Sequence, residues 1–145
     1  MDHKLKLMVV DDSPLFRTWL IHSLSEDDRF QVVGYAVNAL DAQEKIPLLQ
    51  PDMLTLDIEM PGMSGIDFLK QLLPVHPIPV ILVSSLNLRV FDALEAGAVD
   101  FVRKPDEANG LSKEIFLSML RSKLMVAAAS HVHLPSVPAD PQAGG

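Results

Sequence analysis

Cysteine is missing from the sequence, which removes disulfide scaffolds, thiolate zinc sites and thiol catalysis together. No uninterrupted apolar run approaches the ~20 residues needed to cross a bilayer. The N-terminus, Met1-Asp2-His3-Lys4-Leu5-Lys6, lacks the apolar stretch of a signal peptide. Basic residues are in deficit: 12 Lys and Arg stand against 19 Asp and Glu, for a formal net charge of −7. Such a chain is a poor ligand for nucleic acid. A cytoplasmic protein without membrane contact is expected. What is present is apolar: 48% of 145 residues are hydrophobic, enough for one domain with a core of its own. The acidic excess suits a site that holds a divalent cation.

The apolar residues fall into short runs alternating with helical periods. Leu5 to Val10 reads as a first strand, ending in Asp11-Asp12-Ser13-Pro14. Ser13 is a suitable N-cap and Pro14 a suitable first helical residue. Phe16, Trp19, Leu20 and Leu24 then predict an amphipathic helix over Pro14 to Ser25. Phe30 to Val37 reads as a second strand. A second helix is expected from Leu40 to Leu49, with Asn38 or Asp41 near its start and Pro47 ending it early or kinking its last turn. Met53 to Asp57 is the third strand, followed by the loop Met60-Pro61-Gly62-Met63-Ser64. A helix from Gly65 to Leu73 comes next. Pro77 to Val83 is the fourth strand, its prolines at the entry where a missing N–H is tolerated. Ser84 and Ser85 terminate it. Leu88 to Ala96 is a short helix with Gly97 as its C-cap. Val99 to Val102 is the fifth strand, leading to Arg103-Lys104-Pro105. Leu111, Ile115, Phe116, Met119, Leu120 and Leu124 mark a last helix to about Ala128. From Ser130 the text becomes rich in proline, so residues 1–129 are expected to form the domain and residues 130–145 a linker or tail. His131 and His133 fall in that tail and are expected to be idle there.

Strands without a polar face, alternating with helices, imply an α/β fold: a parallel, doubly wound sheet covered on both sides. Right-handed crossovers then favour the flavodoxin-like strand order 2-1-3-4-5. In that order the first and third strands are neighbours, and Asp11, Asp12 and Asp57 meet at one edge. Open α/β sheets bind ligands at the C-terminal ends of their strands. Four of the five strand ends carry useful chemistry: Asp11-Asp12, Asp57, Ser84-Ser85 and Lys104.

Three clustered carboxylates resist ionising unless a cation joins them, and an all-oxygen set suits Mg²⁺. Neutralised in that way, Asp57 could attack an anionic phosphate and form an acyl phosphate. Ser84 would offer a hydroxyl and Lys104 a point charge to the phosphoryl oxygens. Each residue alone has a plainer explanation: a strand-end Asp caps or turns, Asp11-Asp12-Ser13-Pro14 is an N-cap sequence, and paired serines belong to turns. The combination, one group per strand end in β-α order, is what raises the chemical reading above those.

Val9-Val10-Asp11-Asp12-Ser13, Leu56-Asp57-Ile58-Glu59-Met60-Pro61-Gly62, Ser84-Ser85, Ala93 to Ala98 and Lys104-Pro105 resemble a response-regulator receiver domain from about Leu5 to Ala128. The resemblance implies that Asp57 takes a phosphoryl group from a histidine kinase. It implies that Asp12 and Asp57 bind Mg²⁺ directly, Glu59 through its backbone carbonyl, and Asp11 through water. Lys104 would bridge to Asp57 or its phosphate, and Lys104-Pro105 would be joined by a cis bond. Ser84 would be the switch hydroxyl and Phe101 the switch aromatic that turns inward after it. Such a domain phosphorylates and slowly dephosphorylates itself.

Ser13, Thr55 to Pro61, Ser84-Ser85-Leu86 and Gly97 to Pro105 are further similar to the receiver of chemotaxis-type protein-glutamate methylesterases. In that family a linker joins the receiver to an α/β esterase domain, which the unphosphorylated receiver covers. The esterase's glycine-rich serine motif is not found here, so the chain would be the regulatory part, with a C-terminal methylesterase domain or another output protein as partner. A free-standing receiver acting by partner binding remains open. An aspartate-nucleophile phosphatase is a weaker alternative: Glu59 has the right spacing from Asp57, but the acids of the first strand do not fit. A flavodoxin-like cofactor binder would need a Ser/Thr-rich phosphate loop where Asp11-Asp12 stands. The stretch Leu86 to Asp92 is shorter than the family's pattern, so the fourth helix, on the output face, is expected to be short or shifted.

Overall fold

The computed structural model describes residues 4–85 and 89–133. Five strands, β1 (Leu5–Val10), β2 (Phe30–Ala36), β3 (Met53–Leu56), β4 (Val80–Ser84) and β5 (Asp100–Arg103), pair in parallel in the order β2-β1-β3-β4-β5. Helices α1 (Pro14–Ser25), α2 (Ala39–Leu49), α3 (Gly65–Leu72), α4 (Arg89–Glu95) and α5 (Lys113–His133) cover both faces of the sheet. This is the expected doubly wound architecture.

The period-2 alternation of each strand sorts the core into two layers. Leu7 and Val9 of β1, Ile81 and Val83 of β4 and Val102 of β5 pack with Leu20 and Leu24 of α1 and Phe116, Leu120 and Leu124 of α5. Met8 and Val10, Leu54 and Leu56 of β3, and Val80 and Leu82 pack with Ala42 and Ile46 of α2, Phe68 and Leu72 of α3 and Val90 and Ala93 of α4. Both layers exclude water, which is the main favourable term of the fold.

The caps follow the sequence closely. The Ser13 hydroxyl accepts from Phe16 N–H at the start of α1, Asn38 from Asp41 N–H at the start of α2, and Ser64 from Asp67 N–H at the start of α3. Gly97 follows α4 at φ +121°, a conformation open to glycine.

Several boundaries differ from expectation. Pro47 does not end α2: it lies in the last turn, and the helix runs on until Gln50, at φ +48°, donates its N–H to Ile46 O. Pro77 and Pro79 stay outside β4, which begins at Val80 and includes Ser84 instead of stopping before it. The last helix passes Ala128 and reaches His133, so the expected domain boundary at residue 130 falls inside α5. No breaker occurs in Ser130-His131-Val132-His133; the first is Pro135, which disfavours helix in the residue before it. Leu88, expected to open α4, and the rest of the proposed tail lie outside the described residues. The fourth helix is short, as expected, at seven residues.

The loop between β3 and α3 depends on Gly65, whose missing side chain lets α3 begin directly against Ile58. A Cβ there would stand 2.6 Å from Ile58 Cα, a backbone atom that cannot step aside. Gly34 of β2 is also crowded, but by the flexible end of Leu49 at 2.6 Å. We expect Gly65→Ala to cost about 1–3 kcal/mol in urea unfolding and Gly34→Ala clearly less; equal costs would show that Ile58 is not fixed.

Candidate functional site

The hydrogen-bond ladder does not stop where the strands do. Asp11 donates its N–H to Ala36 O at 3.1 Å, Asp57 to Val10 O at 3.0 Å and Lys104 to Ser84 O at 3.0 Å. The three residues that follow β1, β3 and β5 are thus held on the sheet. Continuing the alternation of Val9, Thr55 and Val102 by two residues sends all three side chains toward the α1 and α5 side.

There they meet. Lys104 Nζ lies 3.0 Å from Asp11 Oδ2 and 3.0 Å from Asp57 Oδ2. The other oxygen of Asp57, Oδ1, accepts from Ser84 Oγ at 3.0 Å and from Glu59 N–H at 2.9 Å. Asp11 Oδ1 accepts from Ser13 N–H at 2.9 Å, and the Asp11 carbonyl accepts from Arg17 Nη1 at 2.9 Å. Asp11, Asp57 and Ser84 are buried, while Asp12 is exposed at the rim.

Burial shifts the charges in a consistent way. Desolvation pushes the Asp11 carboxyl above the usual aspartate range, against the Ser13 N–H and Lys104, and the nearby Asp57 charge adds to the rise. Desolvation would also lower Lys104, but Asp11 and Asp57 outweigh it and hold the ammonium above the ordinary lysine value. The lysine is therefore charged throughout the neutral range.

Carboxylate oxygens of Asp11, Asp12 and Asp57 lie within 4.8 Å of one another. Three carboxylates against the single ammonium of Lys104 leave two negative charges uncompensated within the cluster. An all-oxygen donor set with that excess and an open, solvent-facing member fits Mg²⁺, which keeps waters of its own. Of the expected site residues, Asp11, Asp12, Asp57, Ser84 and Lys104 come together. Glu59 touches the cluster through its backbone N–H. Phe101 stands apart from it, partly buried against the α2, α3 and α4 layer; it pairs with Leu82, whereas Ser84 pairs with Arg103.

The expected cis bond is not there: the described residues contain no cis peptide, and Lys104-Pro105 is trans. Trans is the lower-energy isomer by about 0.5–1 kcal/mol for a bond to proline. Lys104 reaches both acids with that bond trans, so the site's contacts do not demand the other isomer. Two residues that sequence reasoning placed only in helix α1 also belong here: Arg17, on the Asp11 carbonyl, and Phe16, whose ring centroid lies 4.5 Å from Lys104 Nζ.

Residues 7–116 match the response regulator receiver domain. The chain belongs to this family. Among solved structures, this receiver is similar to the response regulator domain of Thermotoga maritima CheB, with a TM-score of 0.77 and 36% identity over 88% of this chain and 98% of that one. It is also similar to a chain in the complex of the P1 domain of CheA3 with CheY6 from R. sphaeroides, with a TM-score of 0.71 and 27% identity over 88% of this chain and 99% of that one. A curated relative, a protein-glutamate methylesterase/protein-glutamine glutaminase from Syntrophomonas wolfei, is 45% identical over 129 residues, 89% of this chain and 38% of that protein. This receiver therefore spans about two fifths of the length of such relatives.

The acid cluster makes this receiver's stability pH-dependent without a metal. Because the folded state binds the Asp11 proton more tightly than the unfolded chain does, stability falls as pH rises from the free aspartate value of 3.8 through the raised one. We expect Asp11→Asn to lessen that fall and to melt higher than wild type at pH 7 in the absence of Mg²⁺, by scanning calorimetry over pH 3.5 to 8. A lower melting temperature for Asp11→Asn throughout would mean that the Lys104 pair outweighs burial.

Proposed function

We propose that this receiver is the phospho-acceptor of a chemotaxis-type two-component pathway, with Asp57 taking a phosphoryl group from a phosphohistidine of a histidine kinase. The observation that carries the proposal is the coverage of Asp57. Ser84 Oγ and Glu59 N–H donate to one oxygen and Lys104 Nζ to the other, with two further acids beside it. A buried carboxylate in that setting is oriented for attack, and its donors already face the space that phosphoryl oxygens would enter.

The transfer balances simply. A carboxylate oxygen of Asp57 forms a bond to phosphorus as the bond from phosphorus to the imidazole nitrogen breaks, and the imidazole leaves with its electron pair. Asp11, Asp12, Asp57 and the Glu59 carbonyl would hold Mg²⁺, which supplies charge neutralisation between the acids and the phosphoryl group. Lys104 would exchange Asp57 Oδ2 for a phosphoryl oxygen while keeping Asp11. Ser84 would turn its hydroxyl from Asp57 Oδ1 to the phosphoryl group, and Phe101 would turn inward after it. New charge and new hydrogen bonds at one end of the sheet would thereby bias the surface of α4, β5 and α5.

The output is proposed to be a methylesterase domain of the kind present in the curated relatives, restrained by the unmodified receiver and released by phosphorylation. A cytoplasmic location belongs to the same proposal. A neighbour of this fold was solved with the P1 domain of CheA3, which supports a kinase phosphotransfer domain as the donor.

Incubation with a small phosphodonor and Mg²⁺, followed by intact-mass measurement, tests the proposal. Wild type gains one phosphoryl group and Asp57→Ala none. Asp12→Ala loses the Mg²⁺ dependence of the rate, and Ser84→Ala slows it roughly 10- to 100-fold, the worth of one hydrogen bond to a charged group. Equal modification of Asp57→Ala would sink the proposal, and rapid turnover of many donor equivalents with no phosphorylated protein accumulating would favour a phosphatase.

A further inference from the structure

The ammonium of Lys104 has three donors and two carboxylate partners. Its remaining side meets an aromatic face: the Phe16 ring, with its centroid 4.5 Å from Nζ, well inside the range of a cation–π contact. Phe16 is the third residue of α1, and its N–H donates to the Ser13 hydroxyl that caps the helix. The sequence that carries Asp11 and Asp12 therefore also sets the height of this ring above the site.

The ring is held from behind. Trp19, the single tryptophan of the chain, stands 5.7 Å from it at 44°, and Phe116 of α5 stands 5.9 Å from it at 65°, an edge-to-face contact. Trp19 and Phe116 close the triangle at 5.9 Å. Phe116 is fully inside the α1 and α5 core layer. A flexible four-carbon lysine stem would otherwise have many rotamers to choose from. A fixed ring face is a partner that tolerates small displacements of the ammonium, so it can keep contact while hydrogen-bond acceptors are exchanged beneath it.

We propose that Phe16 is a positioning residue for Lys104: its ring, clamped by Trp19 and Phe116, fixes the ammonium where it bridges Asp11 and Asp57. The role in phosphorylation rests on Asp57 being the phospho-acceptor; the ring–ammonium contact does not. Phe16 does not touch the reacting atoms. It acts through Lys104, by keeping the ammonium over the acids instead of letting it relax into solvent.

Replacing Phe16 with phenylalanines bearing one, two and three ring fluorines separates this role from packing, since fluorine drains the ring's negative face with little change of shape. Two readouts are taken on the full chain, in wild type and in a Lys104→Met background. In the Mg²⁺-free protein the unfolding equilibrium constant should rise stepwise, by about two- to fivefold at three fluorines. With a small phosphodonor and Mg²⁺, the rate of phosphorylation should fall stepwise, by up to the same factor of about two to five. Both series should be flat once Lys104 is methionine. Flat unfolding series with Lys104 present, or equal slopes without it, overturn the contact. A graded unfolding series with a flat rate series overturns the positioning role. A protein that takes no phosphoryl group defeats the phospho-acceptor function and leaves the unfolding series to decide the contact.

Discussion

One ammonium between two buried carboxylates is the interaction that the rest of the site depends on. Lys104 comes from the end of β5, and Asp11 and Asp57 from the ends of β1 and β3. Without the lysine, two partly desolvated acids would face each other across a few ångströms, and burial already holds Asp11 against ionising. With it, the cluster is still short of positive charge. That shortfall is the chemical reason an additional cation fits. The charges of the site are therefore balanced incompletely by its own side chains.

The sheet supplies the precision. Asp11, Asp57 and Lys104 each extend the backbone ladder by one more bond beyond their strands, which ties their backbone to the sheet. Ser84 comes from within β4 and approaches Asp57 from the opposite pleat. Four consecutive neighbours in the strand order β1-β3-β4-β5 thus contribute one group each or more, and β2, at the edge, contributes only the carbonyl that anchors Asp11. The functional edge is a property of strand order as much as of residue type.

That is why so much of it could be read from sequence. Apolar runs of β-branched residues ending in acid, hydroxyl or lysine gave the strands, and the parallel order followed from the alternation with helices. What escaped were features fixed by tertiary contact or by small energy differences. The isomer at Lys104-Pro105 turns on about a kilocalorie per mole, too little for a motif to dictate. Pro47 looked like a stop, but in a last turn it removes little that the helix still needs. The last helix was expected to end near Ala128, although three non-breaking residues separate Ser130 from Leu134. Phe16 carried a clear helical signal, and nothing near it in sequence pointed to Lys104, which arrives from the far end of the chain.

The length of α5 has a mechanical consequence. The helix is an unbroken rod from Lys113 to His133, touching the aromatic triangle near its beginning through Phe116 and tied at its middle to β5, where Lys123 Nζ donates to the Phe101 carbonyl at 2.8 Å. From Phe116 to the last described turn is about 25 Å at 1.5 Å per residue. Between those points Leu120, Leu124, Ala127 and Ala128 are buried in the same core layer as Phe116, so the helix is held on the sheet along most of its length. The aromatic triangle and the buried turns of α5 as far as Ala128 therefore share one packed layer, and the ring beside Lys104 is braced by the longest helix among the described residues.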